Sequence, residues 1–175
     1  MAIDVRTLAD TWTIGDVEIP SRIVLAPMAG VSVQAFRRQG RRHGAGLVCS
    51  EMVSACGLGY GNRRTESYLR IAGDEKPLAV QIFGADPALM ADAARMCVDA
   101  GADIVGVNCL NGPEQQLPIA IEMRGAVDVP VAAQPVGYRT SAAKMDFTSS
   151  GGFPFALDPL QVTRGEMAEI GRAHV

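Results

Sequence analysis

Five short, almost continuously apolar runs constrain this chain more than any other feature of its sequence. Runs of this kind are typical of parallel strands buried on both faces of a sheet, whereas strands with one wet face alternate apolar and polar residues. Segments with helical periodicity separate the runs, and this alternation predicts an α/β fold with a parallel sheet. The predicted strands are residues 22–28, 46–52, 78–84, 103–108 and 129–135.

A hairpin and a well-marked helix complete the first part of the pattern. Residues 11–21 alternate around Gly15-Asp16, which predicts a β-hairpin before the first buried strand. Asp86 followed by Pro87 is the expected start of a helix, because aspartate caps the first N–H groups and proline fits the first helical position. Gly101 follows the last predicted turn of this helix, and a stripe of apolar residues between these ends is expected to pack on the sheet.

Two further helices are predicted on the same grounds. Ser32 is expected to cap a helix that carries Phe36 inward and its arginines outward. Either Pro113 or Pro118 is expected to open another helix, which would end near Gly125.

The length of the chain limits how many such units it can hold. A closed eight-stranded barrel usually needs about 250 residues, and this chain has 175. We therefore expect an incomplete (β/α)8 TIM-type barrel of about five parallel strands, preceded by the N-terminal β-hairpin. A complete doubly wound sheet of five strands remains the alternative on length alone.

Composition indicates an ordinary globular protein, with 48% hydrophobic residues, 20% charged residues and a net charge of −3. No apolar window of about 18 residues is present, so no membrane span is predicted. The N-terminus lacks a basic segment followed by an apolar run, so no signal peptide is predicted. The cysteines show no C-x-x-C spacing, which favours reduced thiols and a cytoplasmic location. They are Cys49, Cys56, Cys97 and Cys109.

Two stretches of the first hundred residues carry a family pattern. They read LAPMAGVSVQAFRRQGRRHGAGLVCSEMVSA, residues 25–55, and KPLAVQIFGADPALMADAARMCVDAGADIVGVN, residues 76–108. Over residues 12–108 the chain resembles the N-terminal half of the tRNA-dihydrouridine synthases. The resemblance implies a flavin enzyme in which FMN, reduced by NADPH, gives a hydride to a uracil ring. That ring must leave the base stack of the tRNA, because its reactive carbons are otherwise covered by neighbouring bases.

The same resemblance implies roles for five residues. Pro27, Met28 and Ala29 would line the isoalloxazine ring, Gln81 would hydrogen-bond the flavin edge, and Asn108 would meet flavin and substrate. All of them stand at the carboxyl ends of predicted strands, where α/β barrels place their chemistry. Without the resemblance, the first three residues are equally typical of a plain turn between strand and helix. Gln81 is then a polar residue that caps a layer of the barrel interior.

An arginine-rich run on the first helix is a candidate contact for tRNA. Arg37, Arg38, Arg41 and Arg42 fall within six residues, and clustered arginines on one helix face can meet RNA phosphates. The alternative is a solvated helix face, which fits the negative net charge of the chain.

The resemblance to the synthases stops after Asn108. That family continues with a Gly-Cys-Pro segment whose cysteine acts as general acid on the uracil, but here Cys109 follows Asn108 directly and the segment is absent. Adjacent residues of a strand point to opposite sides, so Cys109 is a poor substitute for the cysteine of the family.

Later stretches are similar to a different family. Residues 101–140 and 153–171 resemble the zinc-dependent homocysteine S-methyltransferases of the betaine-homocysteine type. That similarity implies Cys109 as one of three thiolate ligands of a Zn²⁺ ion. The other two ligands are a cysteine pair that this sequence does not contain, and a single thiolate does not make a zinc site.

The two resemblances divide the chain into segments. Residues 1–108 are expected to be the first half of a flavin barrel, and residues 109–169 a βα segment of the methyltransferase type. The final residues, IGRAHV at 170–175, resemble the translated end of a sequencing adapter and are expected to carry no function.

Function follows from the first segment. We expect the chain to belong to the enzymes that reduce uridine to dihydrouridine in tRNA, with weak FMN binding and no activity of its own because the general-acid cysteine is missing. The alternatives are a fragment of a zinc-dependent homocysteine S-methyltransferase, and a non-catalytic barrel fragment that self-associates through open sheet edges.

Overall fold

The computed structural model describes residues 5–108 and 111–141, together with residues 148, 153, 161–163, 165 and 168. Within these residues a short 3-10 helix, Val5–Ala9, precedes the hairpin, and a second one, Gly73–Glu75, precedes the third strand of the main sheet. The strands are β1 (Trp12–Ile14), β2 (Val17–Ile19), β3 (Val24–Leu25), β4 (Leu47–Ser54), β5 (Leu78–Phe83), β6 (Ile104–Asn108) and β7 (Val131–Gln134). The helices are α1 (Gln34–Arg42), α2 (Ala55–Gly59), α3 (Arg63–Ser67), α4 (Pro87–Asp99) and α5 (Pro113–Ala126).

The predicted hairpin is confirmed. Strands β1 and β2 pair antiparallel, with Trp12 opposite Ile19 and Ile14 opposite Val17. Ile19 is fully buried and packs in one apolar cluster with Leu47 and Ile104, the first residues of β4 and β6. The hairpin therefore covers the amino-terminal end of the main sheet.

The main sheet has the strand order of a barrel. Strands β3 to β7 lie side by side in sequence order, and every neighbouring pair is parallel. A doubly wound sheet reverses its strand order at a switch point, and no such reversal occurs in the described sheet. The chain therefore forms part of a (β/α)8 barrel, as expected, and the doubly wound alternative is wrong.

One face of the sheet is buried under helices. The predicted apolar stripe of α4 is confirmed, because its members pack against the outer face of the sheet, where Val80, Ile82 and Val105 are fully buried. The stripe consists of Met90, Ala93, Ala94 and Cys97, each at most 1% exposed. Burying side chains of this kind contributes roughly 1.5–3 kcal/mol for each large one. Burial also raises the pKa of the Cys97 thiol to about 12.

Local signals placed α4 and α5 correctly. The Asp86 carboxylate accepts a hydrogen bond from the N–H of Leu89 at 3.0 Å, Pro87 is the first helical residue, and Gly101 has a φ of 104° just after the last turn. Helix α5 begins at Pro113, the first of the two predicted starts. The sequence Thr163-Arg164-Gly165-Glu166 also matches a capping box, but residues 164 and 166 lie outside the described residues. No helix in the described part of the chain is both long and apolar enough to cross a membrane.

The predicted orientation of α1 is wrong. The helix follows Val33, and its Ser32 neighbour does not cap it with its side chain. Phe36 is 36% exposed, whereas Arg37 is 1% exposed. The reversal has a physical cause, because the carboxylate of Glu75 lies buried on the inner side of the helix and pairs with Arg37.

A close approach of two backbone segments makes Gly46 a test of this packing. A Cβ atom at Gly46 would lie 2.1 Å from the carbonyl oxygen of Ser21, and backbone cannot yield as a flexible side chain does. We expect Gly46→Ala to lower the free energy of unfolding by about 1–3 kcal/mol or more, measured by urea denaturation. Gly73→Ala is the matched control, because nothing lies within 4 Å of its added Cβ. Equal midpoints for both variants would contradict the packing described here.

Candidate functional site

A cavity of about 220 Å³ opens on the inner face of the sheet, opposite the helices. Its amino-terminal end is apolar, because Trp12 and Ile14 of the hairpin meet Leu47 and Ile104 there. Its other end is polar and lies toward the carboxyl ends of the strands, where barrel enzymes place their chemistry.

Three carboxamides line the polar end of the cavity. They are Gln81 on β5, Asn108 on β6 and Gln134 on β7, and Asn108 stands directly opposite Gln134 in the sheet register. The structure therefore brings Gln81 and Asn108, the two amides that the sequence analysis singled out, to one cavity. Gln134 was missed, although it ends its strand just as Asn108 does and the same rule could have found it.

Gln81 is the most buried of these three residues. It is 8% exposed, and its Oε1 atom has no hydrogen-bond partner among the described residues. Its backbone is held in place, because the Gln81 N–H donates to Ser50 Oγ at 3.1 Å. Buried polar atoms are nearly always satisfied, so a buried free acceptor in a cavity wall is a candidate contact for a ligand donor.

The loop after β3 contributes unevenly to the cavity. Pro27 lines its wall, whereas Met28 is 37% exposed and Ala29 is also exposed, and neither borders the cavity. Two side chains accept hydrogen bonds from the backbone of this loop. The Met28 N–H donates to Ser32 Oγ at 2.8 Å, and the Gly30 N–H donates to Glu51 Oε2 at 3.1 Å.

The arginine predicted first as an RNA contact is buried. Arg37 donates from Nε to Glu75 Oε2 at 2.6 Å and from Nη2 to Glu75 Oε1 at 3.2 Å. Its remaining bonds reach the carbonyl oxygens of Ser32, at 2.9 Å, and Arg70, at 3.1 Å. A guanidinium that is 1% exposed and held on all sides cannot meet a phosphate, so this prediction is wrong for Arg37.

The other three arginines differ in how free they are. Arg41 is half-buried and donates to the carbonyl oxygens of Ala45 and Gly46. Arg38 is 40% exposed and donates two hydrogen bonds to Asp74, which lower the pKa of that carboxyl. Arg42 is exposed. Arg38 and Arg42 are thus the members of the run that solvent and a ligand can reach.

The cysteines give no support for a metal site. Cys109 lies outside the described residues. Cys49 borders the cavity, and burial raises the pKa of its thiol to about 11, so it remains protonated at neutral pH. In the part of the chain that the structure describes, no group of three or more His, Cys, Asp or Glu residues could hold a metal ion.

These features define the class of the protein: part of a (β/α)8 barrel with an amide-lined cavity at the carboxyl ends of its strands. The fold is shared with histamine dehydrogenase from Rhizobium sp. 4-9, at a TM-score of 0.61 and 12% identity, over 95% of this chain and 35% of that chain. Residues 24–116, just over half of the chain, match the family model described as dihydrouridine synthase (Dus). The chain belongs to the dihydrouridine synthase family.

Curated relatives match over the same extent of sequence. The tRNA-dihydrouridine synthase B of Pseudomonas aeruginosa is 44% identical over 95 residues, which are 54% of this chain and 29% of the relative. The synthase B of Pseudomonas putida is 47% identical over 96 residues, 54% of this chain and 28% of the relative. A probable tRNA-dihydrouridine synthase of Rickettsia bellii is 42% identical over 96 residues, with 54% and 29% covered. The matched part thus spans less than a third of the length of these relatives.

The buried ion pair between Arg37 and Glu75 can be tested by its effect on the free energy of unfolding. We expect Arg37→Met to lower the free energy of unfolding by about 3–5 kcal/mol, because Glu75 would remain as an uncompensated buried charge. The double variant Arg37→Met/Glu75→Leu should recover part of this loss, as urea denaturation would measure. The matched control is Arg38→Met, which breaks an exposed pair and should leave the midpoint unchanged. A loss of the same size in Arg38→Met would contradict the distinction.

Proposed function

We propose that this chain carries the first part of the barrel of a flavin-dependent enzyme that reduces uridine to dihydrouridine in tRNA. Membership of the dihydrouridine synthase family supports the reaction, and the names of the curated relatives support tRNA as the substrate. The observation that carries the proposal is the unpartnered Gln81 Oε1 atom in the cavity wall of a chain from this family.

The residues present fit a flavin ring. The isoalloxazine edge carries an N–H donor between two carbonyl acceptors, and a carboxamide offers the complementary acceptor and donor. Gln81 would receive that N–H, and Asn108 would supply a second amide near the same edge. Pro27 offers a flat apolar wall to the ring. When bound, FMN supplies the hydride that reduces the uracil ring, and NADPH is the proposed source of that hydride; Met28 and Ala29 remain proposed neighbours of the flavin.

The tRNA contacts proposed here rest on the exposed part of the arginine run. Arg38 and Arg42 are accessible from solvent, and arginine side chains pair with backbone phosphates without reading sequence. Arg41 could contribute only by releasing two backbone carbonyl oxygens. A target uridine would have to leave the base stack to reach the cavity.

We also propose that residues 109–169 form a segment of different origin and that the chain has no synthase activity by itself. The support comes from the sequence, where Cys109 directly follows Asn108 in place of the spaced cysteine of the family. The family match runs through Asn108 to residue 116, so it covers the first residues of this segment and not the rest. We propose that this segment derives from a zinc-dependent homocysteine S-methyltransferase, because the sequence around Cys109 is similar to that family. We propose an adapter origin for residues 170–175 because of their sequence. Self-association through β3 and β7, the two edges of the described sheet, completes the proposal.

Flavin titration tests the role of Gln81. We expect the chain to bind FMN weakly and Gln81→Leu to raise the dissociation constant about two- to tenfold, because a net hydrogen bond contributes about 0.5–1.5 kcal/mol. Quenching of FMN fluorescence measures both constants. Gln39→Leu is the matched control, since Gln39 is exposed on α1. An unchanged dissociation constant in Gln81→Leu would show that Gln81 does not contact the flavin. If the unmodified chain does not bind FMN, the proposed cofactor is wrong.

An activity assay tests the rest of the proposal. Purified chain, FMN, NADPH and an unmodified tRNA transcript should yield no dihydrouridine, because no cysteine stands where the family places its general acid. Mass spectrometry of the digested RNA detects the two added hydrogens. Dihydrouridine formed by this chain would overturn the proposed inactivity while supporting the proposed reaction.

A further inference from the structure

Glu51 is a buried carboxylate whose place in the fold calls for an explanation. It is 5% exposed, and within the described part of the chain its carboxylate meets no cation. Oε2 accepts one hydrogen bond, from the Gly30 N–H at 3.1 Å, and Oε1 has no partner among the described residues. Burying a carboxylate is costly unless it is paired or hydrogen-bonded. The hydrogen bond from the Gly30 N–H is therefore the contact through which the Glu51 side chain can act.

The backbone at Gly30 has an uncommon conformation. Its φ of 77° lies in the left-handed region, which glycine adopts far more readily than other residues. The neighbouring Met28 N–H is satisfied from within the same segment, by Ser32. Glu51 instead reaches across from β4, so it is a link between this loop and the sheet.

An irregularity in β4 brings Glu51 to the loop. The register shifts between Cys49 and Met52, and Met52 is the residue that pairs with Gln81. The Ser50 hydroxyl lies inside the same irregularity, where it donates to the Glu51 carbonyl at 2.6 Å and accepts from the Gln81 N–H at 3.1 Å. One bulge thus connects the loop after β3 with the strand that carries Gln81. Bulges commonly redirect side chains beside functional sites.

We propose that Glu51 is a positioning residue that fixes the loop at residues 27–30 as one wall of the ligand cavity. It acts through the Gly30 N–H and need not touch the ligand. The position of the loop is a property of the chain itself, and only the identity of the ligand, a flavin ring, rests on the proposed function. Pro27 borders the cavity just before the anchored residues, so release of the anchor would loosen that wall.

Three substitutions separate the hydrogen bond from the bulk of the side chain. Glu51→Gln keeps an acceptor oxygen at nearly the same volume, Glu51→Met keeps the length without an acceptor, and Glu51→Asp keeps the charge but shortens the reach. We expect Glu51→Met and Glu51→Asp to speed amide hydrogen exchange in residues 27–31 and to weaken FMN binding about tenfold. Glu51→Gln should retain both properties. Glu122→Met, at an exposed position of α5, is the matched control and should change neither.

Each outcome bears on the proposal. Faster exchange confined to the loop in the Met and Asp variants, with recovery in Gln, supports it, because a general loss of stability would raise exchange along the whole chain. Unchanged loop exchange in Glu51→Met overturns it, and so does equal loosening in Gln and Met. If Glu51→Met unfolds, the comparison of Asp with Gln decides by the same criterion. If the unmodified chain does not bind FMN, the proposed cofactor is wrong, but the hydrogen-exchange comparison still tests the role of Glu51.

Discussion

The buried ion pair between Arg37 and Glu75 is the interaction on which the positions of helix α1 and of the cavity loop depend. Glu75 accepts from the guanidinium, from the Ala72 N–H at 2.7 Å and from Gln34 Nε2 at 3.5 Å. Arg37 in turn holds the carbonyl oxygen of Ser32. A buried pair adds little net stability compared with apolar residues, but either partner alone is strongly unfavourable. The pair therefore specifies one position of α1 against the segment before β5, and with it one position of the cavity loop.

Local chemistry explains which elements were predictable from sequence. The hairpin, the start of α4 and the apolar strands depend on residues close to one another in the chain, and each was found. The orientation of α1 was not, because the partner of Arg37 is 38 positions away and four arginines in a short run are typical of a solvated face. Phe36 was predicted to face inward for the same reason. Phenylalanine is more hydrophobic than arginine, so it is the expected buried residue when the ion-pair partner of the arginine is not known.

The site was predictable only where it follows regular strand geometry. Gln81 and Asn108 stand toward the carboxyl ends of neighbouring strands, so their meeting in one cavity follows from parallel pairing. Glu51 follows no such rule. In a regular strand Cys49, Glu51 and Val53 would share one face, but Cys49 borders the cavity and Val53 lies in the core beneath the helices. Nothing in the run LVCSEMVS marks the bulge that separates them.

The anchors of the cavity loop matter because the strand before it is short. β3 contains two residues and pairs with β4 only at Val24 and Leu25, so the ladder gives little control over the chain that follows. A longer strand would fix the direction of its loop through further backbone bonds. Here the Ser32 hydroxyl and the Glu51 carboxylate replace them, each satisfying one N–H of the loop. The precision of this wall is therefore set by side chains, and single substitutions in it can alter the cavity without altering the sheet.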